Sequence, residues 1–493
     1  MFCTTKLRKS SYFCTLYQKT MTKDGLLKMV RTGKHLTFRQ QIMLVVSLSV
    51  PAILAQISVI IMQYIDAAMV GSLGANASAS IGLVATTTWL FGGLCSGVSA
   101  GFSVQVAHRI GAHDEEGARA VLRQALISAL LFSLVVAVIG VIISDALPMW
   151  LGGSESIHAD ASAYFMIYAI SIPVMQIYFL SAAMLRCSGN MLVPSLLGVG
   201  ACTLDVIMNA FFIFPTRTIT VLGLDIMLPG FGLGVVGAAL GTLVAFVISA
   251  VAMFGFLALR SKELNLLHEH GNFKPERRTL QRAVKIGAPM MVQHAVMCSA
   301  QILTTVIVAP LGTFAIAANS FAITAESLCY MPGYGVSDAA TTLVGQSLGA
   351  GRPELMRRFA IMTIGLGMVV MALMGLVMYM AAPLMMEVLS PVEQIQVLGI
   401  ECLRIEAWAE PMFAASIVAY GVFVGAGDTI VPSGMNLASM WAVRLTLAAF
   451  LAPIYGLQGV WMAMCAELTF RGLIFLIRLA WCFKHKKEWI HKK

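Results

Sequence analysis

Twelve apolar stretches dominate this chain, near residues 40–70, 77–105, 120–149, 157–185, 190–214, 232–259, 283–310, 313–345, 356–388, 395–424, 429–453 and 456–482. A helix of about 20 apolar residues crosses a hydrocarbon core of roughly 30 Å, so each stretch is long enough to span with tilt. Lipid offers the backbone no hydrogen-bond partners. Long runs without two-residue alternation therefore predict helices that pair their own N–H and C=O groups, not barrel strands. A charged content of 12% and a hydrophobic content of 58% exclude an ordinary soluble domain, where about a quarter of residues are charged. The reading is an all-α integral membrane protein with twelve transmembrane helices.

The net charge of +9 does not point to nucleic acid, because the basic residues sit in short connections between apolar runs. Nine precede the first run's interior (Lys6, Arg8, Lys9, Lys19, Lys23, Lys28, Arg31, Lys34, Arg39), and seven lie from Arg260 to Lys285. Arg109, Arg119 and Arg123 follow the second run, Arg352, Arg357 and Arg358 follow the eighth, and the carboxyl end is basic again. The odd-numbered connections offer only Arg217. The positive-inside bias predicts both termini in the cytoplasm. The amino end lacks an apolar stretch of secretory-signal type, and Met21 or Met29 could equally be the start. The ten cysteines form no CxxC pair, and most lie inside apolar runs as small hydrophobes.

An internal repeat organises the chain. Pro51 and Pro289 are 238 residues apart (289 − 51), and the same offset relates Leu73-Gly74 to Leu311-Gly312. It also relates Val106…Gly111-Ala112 to Val344…Gly349-Ala350, and Pro173, Gly189 and Pro194 to Pro411, Gly427 and Pro432. The register shifts only after the fifth run, where a longer outer loop spans about 214–232. Six spans per copy give both copies one orientation, so two six-helix lobes related by a pseudo-two-fold axis along the membrane normal are expected. The predicted division is a basic tail 1–36, a first lobe 37–259, a linker 260–282, a second lobe 283–482 and a basic tail 483–493. A duplication that merely stabilises a bundle is the alternative to a carrier that rocks about a central cavity.

From about Thr37 to Trp481 the chain resembles the multidrug and toxic compound extrusion (MATE) family. The stretches that carry the resemblance are Asp66-Ala67-Ala68-Met69-Val70-Gly71-Ser72-Leu73-Gly74, Arg109-Ile110-Gly111-Ala112, Gly237-Ala238-Ala239-Leu240, Met331-Pro332-Gly333-Tyr334-Gly335, Thr342 to Ala350, and Gly425-Ala426-Gly427-Asp428-Thr429 followed by Pro432. The resemblance implies a V-shaped twelve-helix exporter in the bacterial inner membrane. It would exchange amphipathic organic cations for H⁺ or Na⁺ and act as a monomer, with membrane lipid around it, no nucleic-acid partner and no cofactor. The Gly425–Thr429 loop lacks the spacing and lysine of a phosphate-binding loop, so ATP coupling has no motif to support it.

An ionised carboxylate at the bilayer centre costs at least ~2.5–3.5 kcal/mol, so intramembrane acids tend to face a cavity and serve function. Asp66, in the outer third of the first run, and Asp205, in the outer half of the fifth, lie at similar depth and can share one pocket. Asn209 is one helical turn beyond Asp205, and Thr242 on the sixth run can face the same place. These are oxygen ligands for Na⁺ or a proton-accepting carboxylate. The alternatives are a water-exposed helix end for Asp66 and a packed, hydrogen-bonded residue for Asp205. The family's DinF-like branch often places Asn before Asp on this helix, and the order here is reversed.

The second half holds Glu326, Glu406, Glu410 and Glu467. Glu406 and Glu410, four apart, are expected on one helical face, where one must hold a proton or meet a cation; NorM-like members use carboxylates in this half. Arg404 and Arg471 are possible partners, and Glu467 with Arg471 reads as a structural i,i+4 pair. Glu326 and Glu410 can be a cation site or buried support. His294 reads as a packing residue and Asp338 as a gate or loop contact. The competing readings are a flippase for lipid-linked sugars, which favours a more cationic cavity; an intramembrane enzyme, for which no HExxH, DDxxD or GxSxG motif is present; and a channel, which needs a selectivity element.

Overall fold

The structure is a computed structural model that describes residues 22–221, 224–266 and 276–485. Every apolar stretch is helical. The first half contains α1 (Lys23–Arg31), α2 (Phe38–Gly71), α3 (Ala75–Gly111), α4 (Glu115–Ile143), α5 (Glu155–Cys187), α6 (Leu192–Ile213) and α7 (Gly234–Arg260). The second contains α8 (Arg277–Val308), α9 (Thr313–Gly349), α10 (Pro353–Leu389), α11 (Glu393–Glu406), α12 (Glu410–Ala426), α13 (Ile430–Ala438), α14 (Thr446–Tyr455) and α15 (Leu457–Lys484). Ten described helices are long and apolar enough to cross a bilayer, α9 not among them, and the α11–α12 pair adds an eleventh if its two pieces form one span.

The structure adds detail to four expectations. The longer outer connection after α6 forms an antiparallel hairpin of β1 (Pro215–Val221) and β2 (Leu224–Phe231) on an otherwise helical chain. The tenth stretch is broken, with α11 and α12 meeting at 60°. Pro411 stands in the first turn of α12, where its missing N–H and its ring cannot continue a helix from residue 407. The repeat-equivalent Pro173 lies inside an unbroken α5. α8 starts at Arg277, so the linker is shorter than 260–282, and its residues 267–275 lie outside the described ones. The basic tail 1–36 contains α1, whose Leu26, Leu27 and Val30 are buried. Residues 1–21 of that tail, and 486–493 of the carboxyl tail, lie outside the described residues.

α2 packs on α6 of its own half and on α9 of the other, while α8 packs on α3, so the cross-half pairs repeat at the offset read from the sequence. Gly74 and Gly312, at the starts of α3 and α9, take positive φ of 117° and 100°, which only glycine adopts without strain. At the face carrying α1 and the end of α15, the ends of α3 and α9 touch through backbone. A Cβ on Gly111 would stand 2.2 Å from Gln346 O, and one on Gly349 would stand 2.0 Å from His108 O. Around this crossing His108 Nε2 donates to Gly425 O at 2.8 Å and Gln346 Nε2 donates to Cys187 O at 2.8 Å. The two donors are 238 residues apart (346 − 108), and so are the two acceptors (425 − 187). On the same face Asp114 caps α4, and the Arg109 guanidinium beside it holds its carboxyl below the usual carboxylate range.

Backbone on both sides of the crossing leaves no flexible atom to yield. Gly349→Ala should therefore cost about 1–3 kcal/mol through overpacking, read as a lowered unfolding midpoint in detergent. Gly365→Ala on α10, where a Cβ meets nothing within 4 Å, should leave the midpoint unchanged or slightly raised.

Candidate functional site

In the first half, α2, α6 and α7 bring together the residues singled out by their cost in hydrocarbon. Asn209 Nδ2 donates to Asp66 Oδ1 at 3.0 Å and to Asp205 Oδ2 at 3.1 Å. One amide thus holds two carboxyl groups from different helices. Asp205 is 3% exposed and Asn209 1%, while Asp66 is half-buried. Thr242 of α7 stands beside Asp205. Asn209 also marks where α6 and α7 approach, since a Cβ on Gly241 would lie 2.2 Å from its Oδ1. Asp205 Oδ1 and Asn209 Oδ1 are buried without a hydrogen-bond partner.

Unpaired buried oxygens next to a second carboxyl suit a proton or a hard monovalent cation, which takes oxygen ligands. No group of three or more His, Cys, Asp or Glu side chains able to hold a metal occurs among the described residues. Tyr164 of α5 faces both aspartates. It was not visible in the sequence, because a lone tyrosine in an apolar run has no spacing to tie it to either carboxyl.

The second half divides its acids into two kinds. Glu467 (0% exposed) is fully engaged: Arg471 donates to it at 2.7 and 2.8 Å, Arg444 at 2.8 and 3.0 Å, and Ser439 Oγ at 2.5 Å. Arg471 is the partner expected. Arg444 was missed, because it arrives on a π-helical turn, Ser439–Leu445, whose wider winding changes which face a residue meets. Arg404 partners neither Glu406 nor Glu410: it is exposed, with its guanidinium 5.4 Å from the Tyr379 ring.

Glu406 and Glu410 do not share a helical face, since the first ends α11 and the second begins α12. Both are buried, at 0% and 1% exposure, and all four of their carboxyl oxygens lack a hydrogen-bond partner. Glu326 of α9, 5% exposed, lies near both, and Cys329 one turn on faces Glu410. Tyr330 packs against Tyr334 and Phe413 at 6.1 and 5.7 Å between ring centroids. His294 packs on Gly93 and edge-on to Trp89. Asp338 meets Arg186 of the first half at 3.6 Å.

The MatE family model matches this chain twice, over residues 51–211 and again over 289–450. The chain belongs to the MatE family. The two matched segments begin at the prolines that opened the internal repeat. Within MatE, the chain is 27% identical to the probable multidrug resistance protein NorM of Pseudomonas aeruginosa over 461 residues, 89% of this chain and 88% of that one. Its fold matches a MOP superfamily transporter from Pyrococcus furiosus with a TM-score of 0.82, at 20% identity over 91% of this chain and 97% of that one. It also matches the Vibrio cholerae MATE transporter VcmN in its bent form (TM-score 0.80, 18% identity, 92% and 99% covered). MatE membership makes the chain a multi-pass membrane transporter and not an enzyme.

Removing one partner of a buried ion network leaves the rest uncompensated. Glu467→Gln should destabilise this MatE protein by about 3–5 kcal/mol. Thermal unfolding in detergent should show the drop, and adding Arg444→Met should recover part of it. An unchanged midpoint in Glu467→Gln would show that the arginines find solvent instead.

Proposed function

We propose that this chain exports amphipathic organic cations and other drugs from the cytoplasm in exchange for H⁺ or Na⁺. It would do so by alternating access of two six-helix lobes that cross the bacterial inner membrane twelve times, with both termini cytoplasmic. The observation that carries the reading is the pair Asp66 and Asp205 held on one amide, Asn209, on helices long and apolar enough to cross a bilayer.

Two carboxylates this close cannot both stay ionised in a weakly polar interior without a positive ion between them or a proton on one. A proton or Na⁺ entering from outside stabilises the arrangement that holds it, with Asp66, Asp205, Asn209 and Thr242 as oxygen donors. Drug and ion drive each other only if they favour different arrangements or compete for one, and each tenfold preference supplies about 1.4 kcal/mol. The second-half acids Glu326, Glu406 and Glu410 are a further place for ion or drug. The names of the relatives, multidrug resistance proteins, support the substrate class, and the basic inner connections support the orientation.

The flippase reading needs cationic groups presented to a ligand. Arg444 and Arg471 are instead tied to Glu467, which weighs against it.

Asp205→Asn should abolish drug efflux while leaving expression near normal. Undiminished resistance in that variant removes Asp205 from the mechanism. Proteoliposomes with Na⁺ and pH gradients imposed separately should show drug counter-transport under one of them. Silence under both overturns the exporter.

A further inference from the structure

α1 is amphipathic, with Leu26, Leu27 and Val30 buried on one side and Asp24 and Lys28 exposed on the other. It lies across the meeting place of the two halves. Its apolar stripe joins a cluster with Met191 of the first half and with Leu343, Leu355 and Phe359 of the second. Leu27 fills the space left by Gly189, where a Cβ would stand 2.5 Å from its Cδ1.

Arg31, at the end of α1, spends its guanidinium on both halves. Nη1 pairs with Glu263 Oε1 at 2.7 Å and Nη2 donates to Ser188 O at 2.8 Å, both in the first half, while Nε donates to Gln346 Oε1 at 3.3 Å in the second. In return Arg352 of the second half donates to the carbonyls of Met29 and Val30, each at 3.2 Å. These are carbonyls of the helix's last turn, where a cation is favoured. Lys262 adds an exposed pair with Asp24 at 3.1 Å. Gln346, which receives Arg31, is the same side chain that reaches Cys187 O beside the Gly111–Gly349 crossing.

We infer that α1 is a strap that fastens the two halves together at their cytoplasmic ends and must let go before that face opens to admit drug. The halves cannot separate there without breaking either the Arg31 and Gly189 contacts to one side or the Gln346, Arg352 and Phe359 contacts to the other. A released α1 has somewhere to go: a helix with one apolar stripe and with Lys23, Lys28 and Arg31 among its polar residues suits the lipid surface beside it. The strap therefore sets how often the inner face opens. The inference rests on the proposed rocking of the two lobes.

The test measures the distance between spin labels at Arg260→Cys, at the end of α7, and Arg358→Cys, on α10, in the full chain with its native cysteines replaced, reconstituted in vesicles. Both positions are exposed. The strapped chain should give a dominant short distance, and a transported drug should bring up a longer one. Arg31→Ala and Arg352→Ala should each raise the longer component several-fold without drug, with Glu263→Gln raising it less. Should Arg31→Ala not fold, Arg31→Lys, which cannot fork onto three acceptors, carries the same comparison. If drug lengthens the distance but these variants match the unaltered chain, the strap is overturned and the rocking stands. If nothing lengthens it, the rocking fails and the strap with it.

Discussion

Hydrocarbon supplies no hydrogen-bond partner to a peptide group, and every departure from regular helix in this molecule has to answer to that constraint. The break between α11 and α12 meets it locally. Ala407 N bonds Leu403 O at 3.0 Å, Ala409 N bonds Glu406 O at 2.8 Å and Phe413 N bonds Ala409 O at 2.8 Å. The π-helical turn meets it by keeping its ladder while widening it, and Ser439 and Arg444 on it are buried against Glu467. The residues that disturb the helices are also the ones next to the acids. Irregular backbone inside a membrane is tolerated where protein or a cavity receives it, and here it lies beside Glu406, Glu410 and Glu467.

The two halves handle their acids differently. In the first, a neutral amide joins two carboxyl groups from different helices. In the second, Glu467 is tied by hydrogen bonds to two guanidinium groups, Arg444 and Arg471, and reads as structural. Glu326, Glu406 and Glu410 lie outside that set, in the space between α9, α11 and α12.

Most of the framework was legible because it follows from spacing. The apolar runs fall on helices to within a few residues, and the offset of 238 recurs in atomic contacts: Gly111 and Gly349, His108 and Gln346, Cys187 and Gly425. The convergence of Asp66, Asp205 and Asn209 was legible from depth and a four-residue step. What they carry is a proposal that the geometry supports. The rest was hidden where identical residues behave differently in context. Pro173 and Pro411 occupy matching positions, yet only the second accompanies a break, and that separated Glu406 from the face of Glu410. Arg444 was out of register for any reading that assumes 3.6 residues per turn. α1 was concealed by its charge, since nine residues with three cations look like a tail until their burial is known.

The backbone crossing of α3 and α9 has a mechanical consequence. Where the two main chains touch at Gly111 and Gly349 there is no side chain between them to compress, so the separation of the helices at that point is set by peptide groups alone. Each helix contributes one glycine and one gripping side chain, His108 or Gln346, so the contact reads the same from either half.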